Sequence, residues 1–156
     1  MNPPSSLRVR PWTAADVETI CAFQLAMAAE TEDKGLDPER LARGVAAMID
    51  DPHKGRYIVA ERADGVVGCL ALTYEWSDWR GAWFWWIQSV YVAPAARRSG
   101  VYGSLYAGVL AEARAAGDVF GIRLYVERDN QGAQATYESL GMRASDYRMY
   151  ERGLDE

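Results

Sequence analysis

The stretch from Gln88 to Tyr106, QSVYVAPAARRSGVYGSLY, decides how the rest of the chain is read. It begins as a strand, breaks at Pro94, presents Arg97 and Arg98, turns at Gly100 and continues as a helix. A strand–turn–helix unit of this kind aims backbone N–H groups and the positive end of a helix dipole at one point, where a phosphate can sit. The two arginines add forked cationic donors there. The segment reads as a pyrophosphate cradle.

Upstream, Ala82–Val92 is a continuous apolar and aromatic run, as in a central strand covered on both faces. Arg56–Arg62 and Val66–Glu75 are two strands joined through Asp64-Gly65, and Ser77–Gly81 turns the chain into the central strand. Three successive antiparallel strands are expected. Before them, Asp37-Pro38 opens a helix whose apolar stripe is Leu41, Val45, Met48 and Ile49. A polar loop, Glu30–Gly35, separates it from a helix capped by Thr13, with Asp16 as capping-box partner and Val17, Ile20, Cys21, Leu25 and Ala28 on one face. Leu7–Arg10 makes a short first strand. Downstream, the helix after Gly100 runs to Gly117 and Phe120–Glu127 alternates as a strand. Asn130 opens a short helix with Ala133, Tyr137 and Leu140 inward and Gly141 at its end, and Arg143–Glu151 is a closing strand. With no repeat or linker, residues 1–156 make a single α+β domain, a mixed, mostly antiparallel sheet flanked by helices.

Composition narrows the function. Hydrophobic residues at 49% and charged residues at 25% describe an ordinary globule, and a net charge of −5 argues against a nucleic-acid partner. Cys21 and Cys69 lack metal-ligand spacing and read as free thiols in a reducing compartment. No apolar run approaches the ~18 residues of a membrane span, and Met1–Ser6 has no signal-peptide core. A cytoplasmic protein that binds neither membrane nor metal is expected.

Val92-Ala93-Pro94 followed by Arg97-Arg98-Ser99-Gly100 resembles the cofactor motif V-x-P-x-x-R-x-x-G-x-(G/A) of the GNAT superfamily of acyl-CoA-dependent N-acyltransferases. Asn130, Ala133, Tyr137 and Gly141-Met142 resemble its second signature, N-x-x-A-x-x-x-Y-x-x-x-G-(F/M), in the family's order and spacing. The resemblance implies acetyl-CoA as acyl donor. It places the pyrophosphate on the backbone N–H groups of Arg98, Ser99, Gly100, Val101, Tyr102 and Gly103, beside Arg97. It pairs the pantetheine arm with Val90, Tyr91 and Val92, where this strand splays from Phe120–Glu127 to form the acyl-CoA cleft. Tyr102 departs from the family's usual Gly or Ala, which a residue already inside the helix tolerates.

Acyl transfer from a thioester to an amine requires amine deprotonation, oxyanion stabilisation and protonation of the leaving thiolate. The backbone N–H of Val90 or Tyr91 would serve the oxyanion, and the resemblance makes Tyr137 the acid. Asn130 is either a helix N-cap or a polar contact to the cofactor. Many relatives carry a glutamate where this chain reads Trp83-Phe84-Trp85-Trp86, so Glu75 becomes the choice of general base and of ammonium-binding group, with Glu127 in reserve. Asp78 and Trp76 flank Glu75 as acceptor-binding residues, while the other aromatics fill sheet faces or make a homodimer contact. His53, the only histidine, reads as solvated. The expected activity is N-acetylation of a primary amine of a small molecule or peptide by direct attack in a ternary complex. The alternative is a non-catalytic acyl-CoA sensor module.

Overall fold

Strands β1 (Arg8–Pro11), β2 (Arg56–Arg62), β3 (Gly65–Ser77), β4 (Ala82–Val92) and β5 (Val119–Arg123) form one sheet in sequence order in the computed structural model. The structure describes residues 6–31 and 35–155. The first three pairings are antiparallel and β4–β5 is parallel. The helices are α1 (Val17–Thr31), α2 (Pro38–Asp50), α3 (Val101–Ala116) and α4 (Gln131–Ser139). The chain divides into two compact units, Met1–Tyr125 and Val126–Glu156.

In the first unit the sheet carries helices on both faces. Ala71 and Cys69 of β3 bury with Ile20 of α1 and Val45 of α2. On the opposite face, Gly68 lets α3 approach closely, since a Cβ there would lie 2.9 Å from the Val101 side chain and 3.2 Å from the Tyr91 carbonyl. Leu105 and Val109 of α3 are wholly buried, and Arg56 ties the helix to the sheet by bonding Glu112 at 2.6 Å and the Tyr74 hydroxyl at 3.1 Å. Local chemistry fixes the boundaries. Asp37 accepts from the Glu39 and Arg40 amides to start α2, and Gly117, at φ 79°, ends α3. The expected hairpin between β2 and β3 is present, with Arg62 opposite Gly65. The expected loop at Glu30–Gly35 falls partly on residues 32–34, outside the described residues, while Glu30 and Thr31 complete α1.

Two expectations are corrected. The fifth strand stops at Arg123 rather than Glu127, because its last partner on β4 is Trp86 and an extended segment without a neighbour has no ladder to join. In the second unit, Arg143–Glu151 is irregular rather than a strand. Tyr147, Met149 and Tyr150 are exposed, so no buried face fixes a register there. The helix of this unit is as expected: Asn130 caps α4, and Gly141 at φ 93° follows its end.

Candidate functional site

Beyond Trp86, β4 has no partner on its β5 side among the described residues, so Ile87–Val92 presents an open strand edge past the end of β5. On its other edge, Gln88 pairs with Ala71 and Tyr91 with Cys69. Two residues of β4, Ser89 and Val90, thus stand against Leu70 alone, which is a β-bulge. Ser89 adopts φ 52°, a left-handed conformation for a residue with a side chain. Its carbonyl accepts from Nε2 of buried Gln24 at 3.1 Å.

The turn after β4 holds the second such residue, Arg98 at φ 60°. No other non-glycine among the described residues has a positive φ, so both left-handed positions flank the open strand edge and its turn. Gly100, at φ 79°, is the N-cap of α3 and contributes no side chain. The first intrahelical bond runs from Ser104 N–H to the Gly100 carbonyl at 3.0 Å, so the helix opens at Gly100 and its first-turn amides face the N-terminal end. By contrast, Asp37 and Asn130 cap α2 and α4 with their own oxygens. An α-helix whose start carries no capping side chain suits an anion. Tyr102 is inside the helix, as the departure from the family motif requires, and its ring packs 6.3 Å from that of Tyr106.

Around this turn the arginines divide their work. Arg97 donates to Glu30 at 2.7 Å and to the Val92 carbonyl at 2.9 Å, with its guanidinium 5.4 Å from the Tyr91 ring centre. Tyr91 donates to the other Glu30 oxygen at 2.8 Å. Arg97 beside it, with the Tyr91 hydroxyl, holds the Glu30 carboxyl below its ordinary value. Arg97 therefore braces the turn against α1. Arg98 has no ion-pair or hydrogen-bond partner among the described residues. Arg62, which sequence reasoning missed, donates to the Ser99 hydroxyl at 2.8 Å. Only the hairpin geometry, which returns the end of β2 beside the turn, could have signalled it.

Glu75 lies on the sheet face covered by α1 and α2, the face of Ala71. Its Oε1 accepts from Trp86 Nε1 at 3.1 Å and from Arg123 at 2.6 Å. Arg123 also lies 3.5 Å from the Phe84 ring centre, and Gln88 donates to Thr73 at 2.6 Å on the same face. Glu75 and Trp76, successive on a strand, point to opposite faces, and Trp76 stacks edge-on with Trp83 at 5.0 Å. Asp78 accepts from the Trp79 amide within the turn. Glu75 is thus joined by Trp86 and Arg123, not by Trp76 or Asp78.

In the second unit, Asn130 Oδ1 accepts from the Ala133 amide at 3.1 Å, the N-cap alternative. Tyr137 is half-buried on α4, and desolvation raises its phenol above the ordinary value. Glu127 accepts from Gln134 through its backbone carbonyl. Cys69, buried in the first unit, has a thiol pushed up to about 12 by desolvation, so it is an inert core thiol. No helix among the described residues is long and apolar enough to cross a membrane.

The family model for the acetyltransferase (GNAT) family matches residues 20–142. A possible acetyltransferase from Clostridium difficile 630 is 43% identical over 95% of this chain and 97% of its own, with a TM-score of 0.89. A transcriptional regulator from Bacillus halodurans C-125 shares the fold at 22% identity and a TM-score of 0.81, covering 95% of this chain and 100% of its own. An aminoglycoside N-acetyltransferase, AAC(6')-Iy, in complex with CoA shares it at 13% identity and 0.80, covering 99% of each chain. No curated protein matches the chain. The strand-to-helix turn, the open edge of β4 and these matches agree: the chain belongs to the GNAT family of acetyltransferases.

Proposed function

We propose that this protein transfers an acetyl group from acetyl-CoA to a primary amine of a small molecule or peptide, by direct attack in a ternary complex. The observation that carries the reading is the uncapped start of α3 next to an open strand edge, an anion site beside a place for an amide-bearing arm. The amides of Val101, Tyr102 and Gly103, with Arg98, hold the pyrophosphate, and Val90–Val92 pair with pantetheine. A CoA complex of AAC(6')-Iy, with the same fold, supports the donor.

In this reading residues 1–156 work as one domain. The amine nitrogen attacks the thioester carbon, the C–N bond forms, and the electron pair moves to the carbonyl oxygen, which the Val90 N–H stabilises. As the oxyanion collapses the C–S bond breaks, and the thiolate takes the Tyr137 proton, later replaced from solvent. Desolvation raises the Tyr137 phenol above its ordinary pKa, so the proton is present at neutral pH and is given up only to the basic thiolate. Glu75, directly or through water, draws the ammonium and accepts its proton, with Trp86 as the adjoining aromatic wall.

A non-catalytic acyl-CoA sensor is the second reading, favoured by two observations: Trp83–Trp86 carries no carboxylate, and Glu75 is already bonded to Arg123. Thiol release from acetyl-CoA across a panel of amines separates the two. Turnover on any amine supports the transferase, and acetyl-CoA binding without turnover on any of them supports the sensor.

A further inference from the structure

The apolar stripe of α1 contains one polar residue. Ile20, Gln24 and Ala28 are its buried positions, spaced by four, and Gln24 is 4% exposed. A leucine would fill the same volume without the desolvation cost of an amide. The reason for glutamine lies across the sheet, where its Nε2 donates to the Ser89 carbonyl at 3.1 Å and has a weak contact to Cys69 Sγ at 3.9 Å. Ser89 and Val90 are the two residues that the β3 register skips, so this carbonyl has left the regular ladder. A partly buried carbonyl without a partner is disfavoured, and a left-handed serine is held only where its surroundings over-determine it.

Every peptide bond among the described residues is trans. In a trans peptide the N–H points opposite to the C=O. Fixing the Ser89 carbonyl toward α1 therefore turns the N–H of Val90, in the same peptide plane, away from α1. We infer that Gln24 is a positioning residue, which clamps the Ser89–Val90 peptide so that the Val90 N–H meets the acyl carbonyl oxygen of the donor. The inference rests on the transferase reading and extends it from the strand to the helix behind it. Its chemistry is electrostatic: a donor already oriented stabilises a developing oxyanion without reorganising.

The experiment is difference infrared spectroscopy of carbonyl-13C-acetyl-CoA bound to wild type and to Gln24→Leu, with calorimetric affinities for CoA and turnover measured alongside. In the wild type the bound carbonyl stretch lies below that of free acetyl-CoA. In Gln24→Leu that shift is largely lost and kcat falls about tenfold to a hundredfold, while CoA, which has no acyl oxygen, binds as before. An equal shift in both proteins overturns the inference, and so does a wild-type carbonyl that binds without any shift; the transferase reading survives both. A wild type that does not bind acetyl-CoA overturns the two together. Gln24→Met, which keeps length and volume, is read in the same way if the leucine variant does not fold. Failure of both variants to fold assigns Gln24 a purely structural role and overturns the inference.

Discussion

Tyr137 and Glu75 are the two side chains on which the proposed proton transfers depend. Tyr137→Phe removes one hydroxyl and keeps the ring, so kcat should fall about a hundredfold while acetyl-CoA affinity stays within about twofold. Turnover equal to wild type would remove Tyr137 as the acid. Glu75→Gln should lower kcat/KM most at the acidic end of the pH profile, where amine deprotonation is hardest. A variant with the wild-type profile would assign Glu75 to holding Arg123 and Trp86. Both residues were legible in the sequence as candidates, Tyr137 from its motif and Glu75 by elimination. The Arg123 partner of Glu75 was not, because the two are 48 positions apart and meet only through the sheet. Gln24 was missed for another reason: a search for apolar periodicity passes over an amide at a buried helical position, although the spacing of Ile20, Gln24 and Ala28 was present in the residues.

At the scale of the element, the turn between β4 and α3 carries two arginines with different partners. Arg97 bonds Glu30 and the Val92 carbonyl, while Arg98 has no ion-pair or hydrogen-bond partner among the described residues and is the one proposed to meet a phosphate. Arg98→Ala should therefore weaken CoA binding about tenfold, with a reduced dependence on salt. Arg97→Ala should mainly lower thermal stability by loosening the turn from α1. Calorimetry at two salt concentrations and thermal melts distinguish them, and the reverse pattern would mean that the ion pair opens to bind cofactor. The bounds of β4 and α3 were readable because proline and glycine mark them. The bulge was not, since Ser89 is an ordinary strand residue by type and only the register with β3 shows it out of line. The closing strand failed for a related reason: strand-forming residues between Arg143 and Glu151 do not make a strand without a buried face.

For the molecule as a whole, the ion pairs beneath β1 link stability to pH. Asp16, buried at 5% exposure, accepts from Arg10 at 2.8 and 2.9 Å and from the Thr13 amide at 2.7 Å. Arg10 foremost holds its carboxyl below the ordinary value, and Arg10 does the same for Glu61. A depressed carboxylate stabilises the fold above its unfolded pKa, and that stability is lost as pH falls through the folded value. The protein should keep full stability at neutral pH and lose it on acidification below the usual carboxylate range. Asp16→Ala should destabilise by about 2 kcal/mol in urea melts at neutral pH, because it removes charge-assisted hydrogen bonds to Arg10 and the bond from the Thr13 amide, leaving Arg10 with Glu61 alone. A loss at neutral pH no larger than that at acid pH would contradict the linkage. All other expectations of function return to the cradle at the start of α3. Calorimetric titration with CoA and with pantetheine, which lacks the pyrophosphate, tests it most directly. CoA should bind with a Kd of about 10⁻⁶–10⁻⁴ M, at least about tenfold tighter than pantetheine. Equal affinity for the two ligands, or no heat of binding with CoA at millimolar concentration, would contradict it.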